Sequence, residues 1–395
     1  MKKVLDKFFS EVSQELDSES FEVVFWDEAI KRYRKGPLSF RLIIKNPQAG
    51  RRILIDKSLG FGEEYMLGNI EVEGNLQSLL RLGTSKTYKK MKLSPKAAVK
   101  ILLDYITNID DIKGSRKNIA AHYDRGIGFY SLWLDESLTY SCAYFKNKND
   151  TLEQAQKNKY EHICRKLMLK KGEKLIDIGS GFGGMLIYAA QNYGIEGVGY
   201  TLSENQYKES LERVKKEGLS NKIKIYLADY REAKGKFDKF VSIGMFEHVE
   251  KRYYDDFFSK VSLLLKKGGL GLLHTIGQDV RELTDPWIRK YIFPGGEIPV
   301  IQDVIDSMGR YNQHFTDIEN LRYNYHKTLE EWIKRFEKSI PKIRKMYDEK
   351  FIRMWKLYLH GSSSSFKHGG NNLYQLIFTN GINDSPPLTR EHIYK

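Results

Sequence analysis

Two kinds of hydrophobic pattern divide the chain. Up to about residue 83, short apolar runs such as FEVVFWD and SFRLIIKN predict strands, and GNLQSLLRLG predicts a helix that ends at Gly83. From about residue 119, helices alternate with the strands KLIDIG, IEGVGY, IKIYLADY, FDKFVSIGMF and GGLGLLHTIG. This alternation predicts a doubly wound, mostly parallel α/β sheet with helical insertions, preceded by a smaller N-terminal α+β domain.

The pattern also predicts domain limits. We expect an N-terminal domain over 1–83, a basic linker over 84–118 with a helix from Pro95 to Ile109, a catalytic domain over 119–381 and a mobile tail over 382–395. The late segment IRKMYDEKFIRMWKLYLHG predicts one amphipathic helix. Its apolar stripe could pack in the core or dock on a membrane.

Composition narrows the class of protein. Of the 395 residues, 41% are hydrophobic and 29% charged, which is typical of a soluble globular protein. No run approaches the roughly 20 apolar residues of a membrane helix, and the first residues predict a cytoplasmic amphipathic helix instead of a signal peptide. With two cysteines, no disulfide framework is expected, which suits a reducing compartment.

The net charge of +14 could serve binding to nucleic acid, binding to an anionic membrane, or only solubility. The basic residues are spread out, and the chain has no Arg-rich run, zinc-ligand spacing or RNA-binding motif. We therefore favour an anionic membrane surface and expect no nucleic acid and no metal.

The glycine-rich turn LIDIGSGFGG is the strongest local motif. Gly179, Gly181 and Gly184 fit G-x-G-x-x-G, while Asp177 and Gly183 extend this to D-x-G-x-G-x-G, the pattern of class I S-adenosylmethionine (SAM) methyltransferases. Bare glycine backbone and free N–H groups at a helix start can hold such a ligand. The alternative is a tight turn without a ligand.

Residues after the next two strands bear on which ligand the turn binds. A dinucleotide site needs an acid at the end of the second strand, where this chain has Tyr200 and Thr201. Asp229 follows the third strand and can meet an adenine amino group, although an Asp there can also simply form a turn.

A carboxylate and an imidazole follow the two next strands. Glu247 ends VSIGMFE and His274 ends GLGLLH, at the edge where open α/β sheets bind ligands. Glu247 alone could be an acid at a helix N-terminus. We interpret His248 as structural and Cys142, from its residue type, as a small core residue.

Motifs along the whole chain resemble those of one enzyme family. HYDRGIGFYSLWLDESLTYSCAYF, LEQAQKNKYEHIC, LIDIGSGFGG, GYTLSENQ, ADYR, VSIGMFEHV, LLHTIG and DPWIRKYIFPGGEIP occur in this order. They closely resemble the cyclopropane-fatty-acyl-phospholipid synthases, and the catalytic part is similar to the mycolic acid cyclopropane synthases. KNPQAGRRILIDKSLGFGEEYMLGNIEVEGNLQSLL also resembles the N-terminal region of the phospholipid enzymes, which the mycolic acid enzymes lack.

The resemblance implies a reaction and its site residues. The family transfers a methylene unit from SAM to a cis double bond of a phospholipid acyl chain, with bicarbonate as the probable base. The implied SAM contacts are Tyr140, Ser141, Asp177, Gly179, Gly181, Gly183, Thr201, Leu202, Ser203, Gln206, Asp229 and Tyr230. The implied bicarbonate ligands are Cys142, Glu247, His274, Ile276 through its backbone and, on the weakest match, Tyr325.

The resemblance also implies a setting, and it leaves alternatives open. It implies a cytoplasmic protein on the inner face of an anionic membrane, an unsaturated phospholipid substrate and a homodimer. Where family members carry a cysteine near the C-terminus, HGSSSSF places Ser362. The alternatives are a homologue that only methylates a lipid or small molecule, and a catalytically silent lipid-binding protein.

Overall fold

The computed structural model describes residues 1–16, 19–92, 94–95, 98–99 and 125–394. The strands in these ranges are β1 (Ser20–Val24), β2 (Ile30–Tyr33), β3 (Leu38–Ile44), β4 (Ile70–Gly74), β5 (Lys174–Ile178), β6 (Glu196–Thr201), β7 (Ile223–Leu227), β8 (Phe237–Ile243), β9 (Leu265–Gln278), β10 (Gln313–Asn320) and β11 (Asn371–Asn380). The α-helices are α1 (Lys2–Glu15), α2 (Pro47–Ile55), α3 (Lys57–Met66), α4 (Leu76–Arg81), α5 (Lys86–Lys90), α6 (Ile127–Tyr130), α7 (Leu152–Lys166), α8 (Gly184–Tyr193), α9 (Glu204–Lys216), α10 (Tyr254–Leu264), α11 (Pro286–Tyr291), α12 (Ile301–Arg310), α13 (Arg322–Ile343), α14 (Glu349–His368) and α15 (Glu391–Tyr394).

The chain forms two compact units that are discontinuous in sequence. The smaller unit is assigned Met1–Asn108, Thr284–Pro294 and Leu329–Gly370, and the larger unit Ile109–Leu283, Gly295–Thr328 and Asn371–Lys395. The predicted helix from Pro95 to Ile109 lies largely outside the described residues. The predicted linear limits 1–83, 84–118, 119–381 and 382–395 stay a prediction.

The larger unit is built on one seven-stranded sheet in the order β10-β11-β9-β8-β5-β6-β7. The neighbours from β9 to β7 pair in parallel, whereas β11 runs antiparallel to both β9 and β10. Buried side chains cover both faces of the sheet. The predicted mostly parallel α/β sheet is confirmed, and the chain reverses its direction of travel across the sheet between β5 and β8, where such sheets bind ligands.

Local sequence signals start the helices of this sheet. The Thr151 hydroxyl accepts from the Gln154 N–H at the start of α7, and the Ser203 hydroxyl accepts from the Gln206 N–H at the start of α9. Such N-caps are each worth about 1 kcal/mol. Gly183, at a φ of 78°, precedes α8. α8 and α9 therefore begin directly after the loops at the carboxyl ends of β5 and β6, whereas α7 precedes β5.

The smaller unit has a four-stranded sheet in the order β2-β1-β3-β4 with helices around it, as the α+β prediction requires. Late segments of the chain complete it. The Trp287 ring packs over Gly62, where any side chain would collide with it, and the indole N–H donates to Met66 Sδ at 3.3 Å. Arg353 of α14 binds the Glu71 carboxylate of β4. These contacts explain why 284–294 and 329–370 belong to this unit.

One expectation about the C-terminal third is wrong. The single amphipathic helix is broken between α13 and α14, because Asp348 caps a new helix and accepts from the Phe351 N–H at 2.8 Å. In the segment expected to be a mobile tail, Ile393 is buried and Arg390 pairs with Asp317, while most of 382–392 is exposed. Its mobility stays a prediction. Among the described helices, none combines the length and apolarity needed to cross a membrane.

Candidate active site

A cavity opens at the carboxyl ends of β5, β6 and β8. Predicted SAM contacts that line it are Tyr140, Ser141, Asp177, Gly179, Gly181, Thr201, Leu202, Gln206, Asp229 and Tyr230. Gly183 and Ser203 are not among the lining residues; they are the N-cap residues of α8 and α9. The topology thus brings together segments that the sequence spreads over about ninety positions, from Tyr140 to Tyr230.

The glycine turn has backbone that only glycine adopts readily. Gly179 and Gly181 have φ values of 83° and 54°, both in the left-handed region. A Cβ on Gly179 would lie 2.6 Å from the Met245 side chain, so this glycine permits close packing. A Cβ on Gly181 would meet nothing within 4 Å, so this glycine leaves open space beside the cavity.

Hydrogen bonds fix the orientation of two polar residues that line the cavity, Thr201 and Asp229. The Thr201 hydroxyl donates to Gln206 Oε1 at 2.7 Å. The Asp229 carboxylate is 1% exposed and accepts from Arg231 Nε at 2.7 Å and Nη2 at 2.8 Å. These hydrogen bonds fix the orientation of the Asp229 carboxylate just after β7, where we expected an adenine contact.

Lys159 is a cavity residue that the sequence analysis missed. Its ammonium is fully buried on α7 and donates to Ser141 Oγ at 2.8 Å. Burial lowers the pKa of Lys159, and burial raises that of Asp177, whose Oδ1 has no hydrogen-bond partner in the described chain. The signal was available, because Lys159 falls three and four positions after Gln156 and Ala155, on the buried stripe of the helix.

A second cluster lies at the ends of β8 and β9, outside the cavity lining. Glu247 Oε1 accepts from the backbone N–H of Ile276 at 2.7 Å, and the Gly244 N–H donates to the carbonyl of His274 at 2.8 Å. Two buried polar atoms, Glu247 Oε2 and His274 Nε2, find no hydrogen-bond partner within the ranges that the structure describes. Such orphaned atoms are rare in proteins and indicate a missing ligand or water.

The electrostatics of this cluster follow from burial. Burial raises the pKa of Glu247 to about 7, against the opposing effect of the Ile276 N–H. Burial also lowers the pKa of His274 well below its ordinary value, so the imidazole is neutral. His248, interpreted as structural, also lines the cavity, and burial lowers its pKa to about 4. The structural interpretation stays a prediction.

Cys142 and Tyr325 lie on two segments that contact each other. Cys142 is buried next to Ser141, and burial raises the pKa of its thiol. The residues that follow it bind the first turns of α13: the Ala143 N–H donates to Thr328 Oγ1 at 3.0 Å, and the Phe145 N–H donates to an Asn324 side-chain oxygen at 2.8 Å. Tyr325 lies between these two positions on the helix. Its place in the ligand set stays a prediction, as do the other assigned roles.

Comparisons with known proteins identify relatives over most of the chain. The family model for mycolic acid cyclopropane synthetase matches residues 111–376, and a domain of unknown function matches residues 8–97. The cyclopropane-fatty-acyl-phospholipid synthase of Escherichia coli K12 is 38% identical over 353 residues, which cover 88% of this chain and 90% of that protein. A probable fatty acid methyltransferase of Pseudomonas putida is 34% identical, over 90% of this chain and 91% of that protein.

A solved structure is similar to the catalytic part. It is mycolic acid cyclopropane synthase CmaA1 complexed with SAH and CTAB, which aligns with a TM-score of 0.64 and 32% identity. The alignment covers 67% of this chain and 98% of that one.

Proposed function

Because this chain belongs to the mycolic acid cyclopropane synthetase family, we propose that it forms cyclopropane rings on unsaturated phospholipid acyl chains, using SAM. The class I SAM-methyltransferase fold predicted from D-x-G-x-G-x-G is confirmed by the similarity to CmaA1. One observation carries the choice of phospholipid: the similarity to the E. coli phospholipid enzyme covers 88% of the chain, whereas CmaA1 covers 67%.

The cavity residues suit SAM. The glycine turn would hold the methionine part against bare backbone, and Asp229 at the end of β7 would meet the adenine. Lys159 and Asp177 provide buried groups of opposite charge for the carboxylate and the ammonium of SAM. When bound, SAM supplies a methyl group electrophilic enough to add to an alkene.

The second cluster suits bicarbonate. Glu247 Oε2 can accept the O–H of the ion, and His274 Nε2, when it carries the ring proton, can donate to one of its oxygens. Both atoms are buried, and neither has a hydrogen-bond partner among the described residues. The Cys142 thiol and the Tyr325 hydroxyl are further candidate donors. When bound, bicarbonate supplies a small base for the proton that ring closure must remove.

The protein's own residues would prepare this chemistry by their charge and burial. Adding a methyl group to a double bond leaves positive charge on the acyl chain. A buried Glu247 carboxylate opposes that charge at low dielectric, and the apolar surroundings exclude water that would trap the cation. Glu247 is therefore needed as an anion, above its pKa of about 7.

The proposal also covers the enzyme's location and oligomeric state. An excess of fourteen positive charges suits a cytoplasmic enzyme that binds peripherally to an anionic membrane surface and draws an acyl chain into its site. We include the homodimer in the proposal on family resemblance alone.

The test is product identification. The protein is incubated with isotope-labelled SAM and vesicles of monounsaturated phospholipid, and the acyl chains are analysed by NMR and mass spectrometry. We expect labelled carbon in a cyclopropane methylene. A methyl-branched product would instead support the methylating alternative, which the P. putida relative's name favours. SAM binding without any product would support the silent lipid-binding alternative.

A further inference from the structure

A buried chain of polar side chains leads to the ring of His274. Lys166 Nζ donates to the carboxylate of Glu319 and, at 2.8 Å, to Gln375 Oε1. Gln375 Nε2 lies 3.1 Å from His274 Nδ1. Gln375 is 0% exposed, His274 1% and Lys166 2%, and all four residues belong to the larger unit.

The charge state of Lys166 sets the direction of these hydrogen bonds. Burial lowers the pKa of Lys166, and the Glu319 carboxylate opposes this shift. Burial would raise the pKa of Glu319 too, yet the hydrogen bond from His162 and the charge of Lys166 bring it to about 2. Lys166 Nζ lies 2.5 Å from Glu319 Oε2, which is the geometry of an ammonium–carboxylate ion pair.

An ammonium group has three donors and no acceptor, so the Gln375 atom that faces Lys166 must be the amide oxygen. The amide NH₂ then faces His274 and donates to Nδ1. An Nδ1 that accepts a hydrogen bond carries no proton, and the single proton of a neutral imidazole must then be on Nε2.

We propose that Lys166 and Gln375 are positioning residues that hold His274 in the tautomer with its proton on Nε2. That N–H is one of the two orphaned atoms of the second cluster. The site thus presents a fixed hydrogen-bond donor beside the acceptor Glu247 Oε2, and His274 does not serve as the base. This inference rests on the proposed function only for the identity of the ligand, bicarbonate, to which the Nε2–H of His274 donates.

The tautomer can be measured without substrate or bicarbonate. The protein is labelled with ¹⁵N-histidine, and two-bond ¹H–¹⁵N spectra distinguish protonated from unprotonated ring nitrogens. His274→Asn identifies the signals by their loss. We expect Nδ1 to be unprotonated and Nε2 protonated in the wild type; the opposite tautomer would overturn the proposal.

Two variants test the positioning residues. Lys166→Met frees the Gln375 amide to rotate, and Gln375→Met removes its hydrogen bond at similar volume. We expect both variants to give a mixture of His274 tautomers. Their kcat should fall about tenfold, because only some of the protein molecules then carry the Nε2–H that donates to the ligand. SAM affinity, measured by calorimetry, should stay within about twofold, since neither residue lines the cavity.

Lys239→Met is the matched control. Lys239 is also a buried lysine of the larger unit, and it donates to the carbonyl of Leu167 at 2.7 Å. We expect its loss to leave the His274 signals unchanged. An unchanged Nε2–H tautomer in either folded variant of the pair would overturn the positioning role, whatever product the enzyme forms. If Lys166→Met does not fold, Gln375→Met and the wild-type spectrum still decide.

Discussion

Glu247 illustrates how an active-site group can lower stability. A carboxyl with a pKa raised from 4.5 to about 7 stabilises the fold while it is protonated, and this contribution is lost as pH rises through that range. We therefore expect Glu247→Gln to stabilise the protein at pH 8 by up to about 3 kcal/mol, with no difference below pH 4. Denaturant unfolding of both proteins at the two pH values checks this.

The same variant should lose activity. We expect kcat to fall about a hundredfold or more, with SAM affinity nearly unchanged, because Glu247 is outside the cavity lining. Wild-type activity should rise with pH through about 7 as the carboxyl ionises. Equal losses of kcat and SAM affinity in Glu247→Gln would indicate a structural role instead.

Lys159 is predicted to bind SAM. We expect Lys159→Met to weaken SAM binding at least about tenfold, since a charge-assisted hydrogen bond contributes roughly 1.5–3 kcal/mol. Lys157→Met removes an exposed lysine from the same helix and serves as the control. Calorimetry that finds equal SAM affinity in the two variants would remove Lys159 from the site.

Ser362 tests the departure from the family pattern. It is half-buried on α14, in the smaller unit, whereas the cavity and Glu247 belong to the larger unit. We expect Ser362→Ala to keep kcat within about threefold, because the implied bicarbonate ligands do not include Ser362. A fall in kcat of several orders of magnitude would mean that Ser362 has the catalytic role of the family cysteine.

At the scale of elements, the turn between β5 and α8 joins fold and binding. Gly181→Val places a branched side chain in the open space beside the cavity, and we expect SAM binding to be abolished. Gly218→Val is a matched control, because Gly218 also has a positive φ, with nothing within 4 Å of a Cβ, but follows α9 away from the cavity. Both should cost about 1–2 kcal/mol of stability through backbone strain.

Calorimetry and thermal unfolding separate the two effects. If Gly218→Val also lost SAM binding, backbone strain would explain the loss of binding in Gly181→Val, and filling the space beside Gly181 would not. If Gly181→Val bound SAM normally, the cofactor would lie elsewhere.

At the scale of the whole molecule, the net charge predicts salt-dependent membrane binding. Each basic residue near an anionic surface adds about 1 kcal/mol, and salt screens this attraction. The basic helix α5 is our candidate docking element, so we expect the triple change of Lys86, Lys89 and Lys90 to Glu to weaken sedimentation with anionic vesicles. Binding to zwitterionic vesicles should not change.

A control with the same change in charge tests whether position matters. Lys215, Lys216 and Lys222 are exposed lysines of the larger unit. Equal effects of the two triple variants would mean that net charge acts without a docking face. Deleting residues 1–83 would be a poor substitute, since Trp287 and Arg353 would lose their partners.

The sequence by itself determined much of this protein, because several signals are local. Alternating strands and helices predicted the parallel sheet, and a strand followed by D-x-G-x-G-x-G predicted the cofactor turn. The same rule put Glu247 and His274 at one edge of the sheet, since carboxyl ends of parallel strands meet there. Thr151 and Ser203 are N-cap residues of a type that the sequence shows directly, and α7 and α9 begin after them.

Only the tertiary structure decided which distant residues meet. Gln375 lies 101 positions from His274, and Lys166 lies 209 positions from Gln375, so no periodicity could pair them. Late segments joined the smaller unit because Trp287 packs over Gly62, a contact between residues more than two hundred positions apart. Lys159 was missed for a related reason: a lysine usually stays in water, and only a folded site provides the partners that allow its burial.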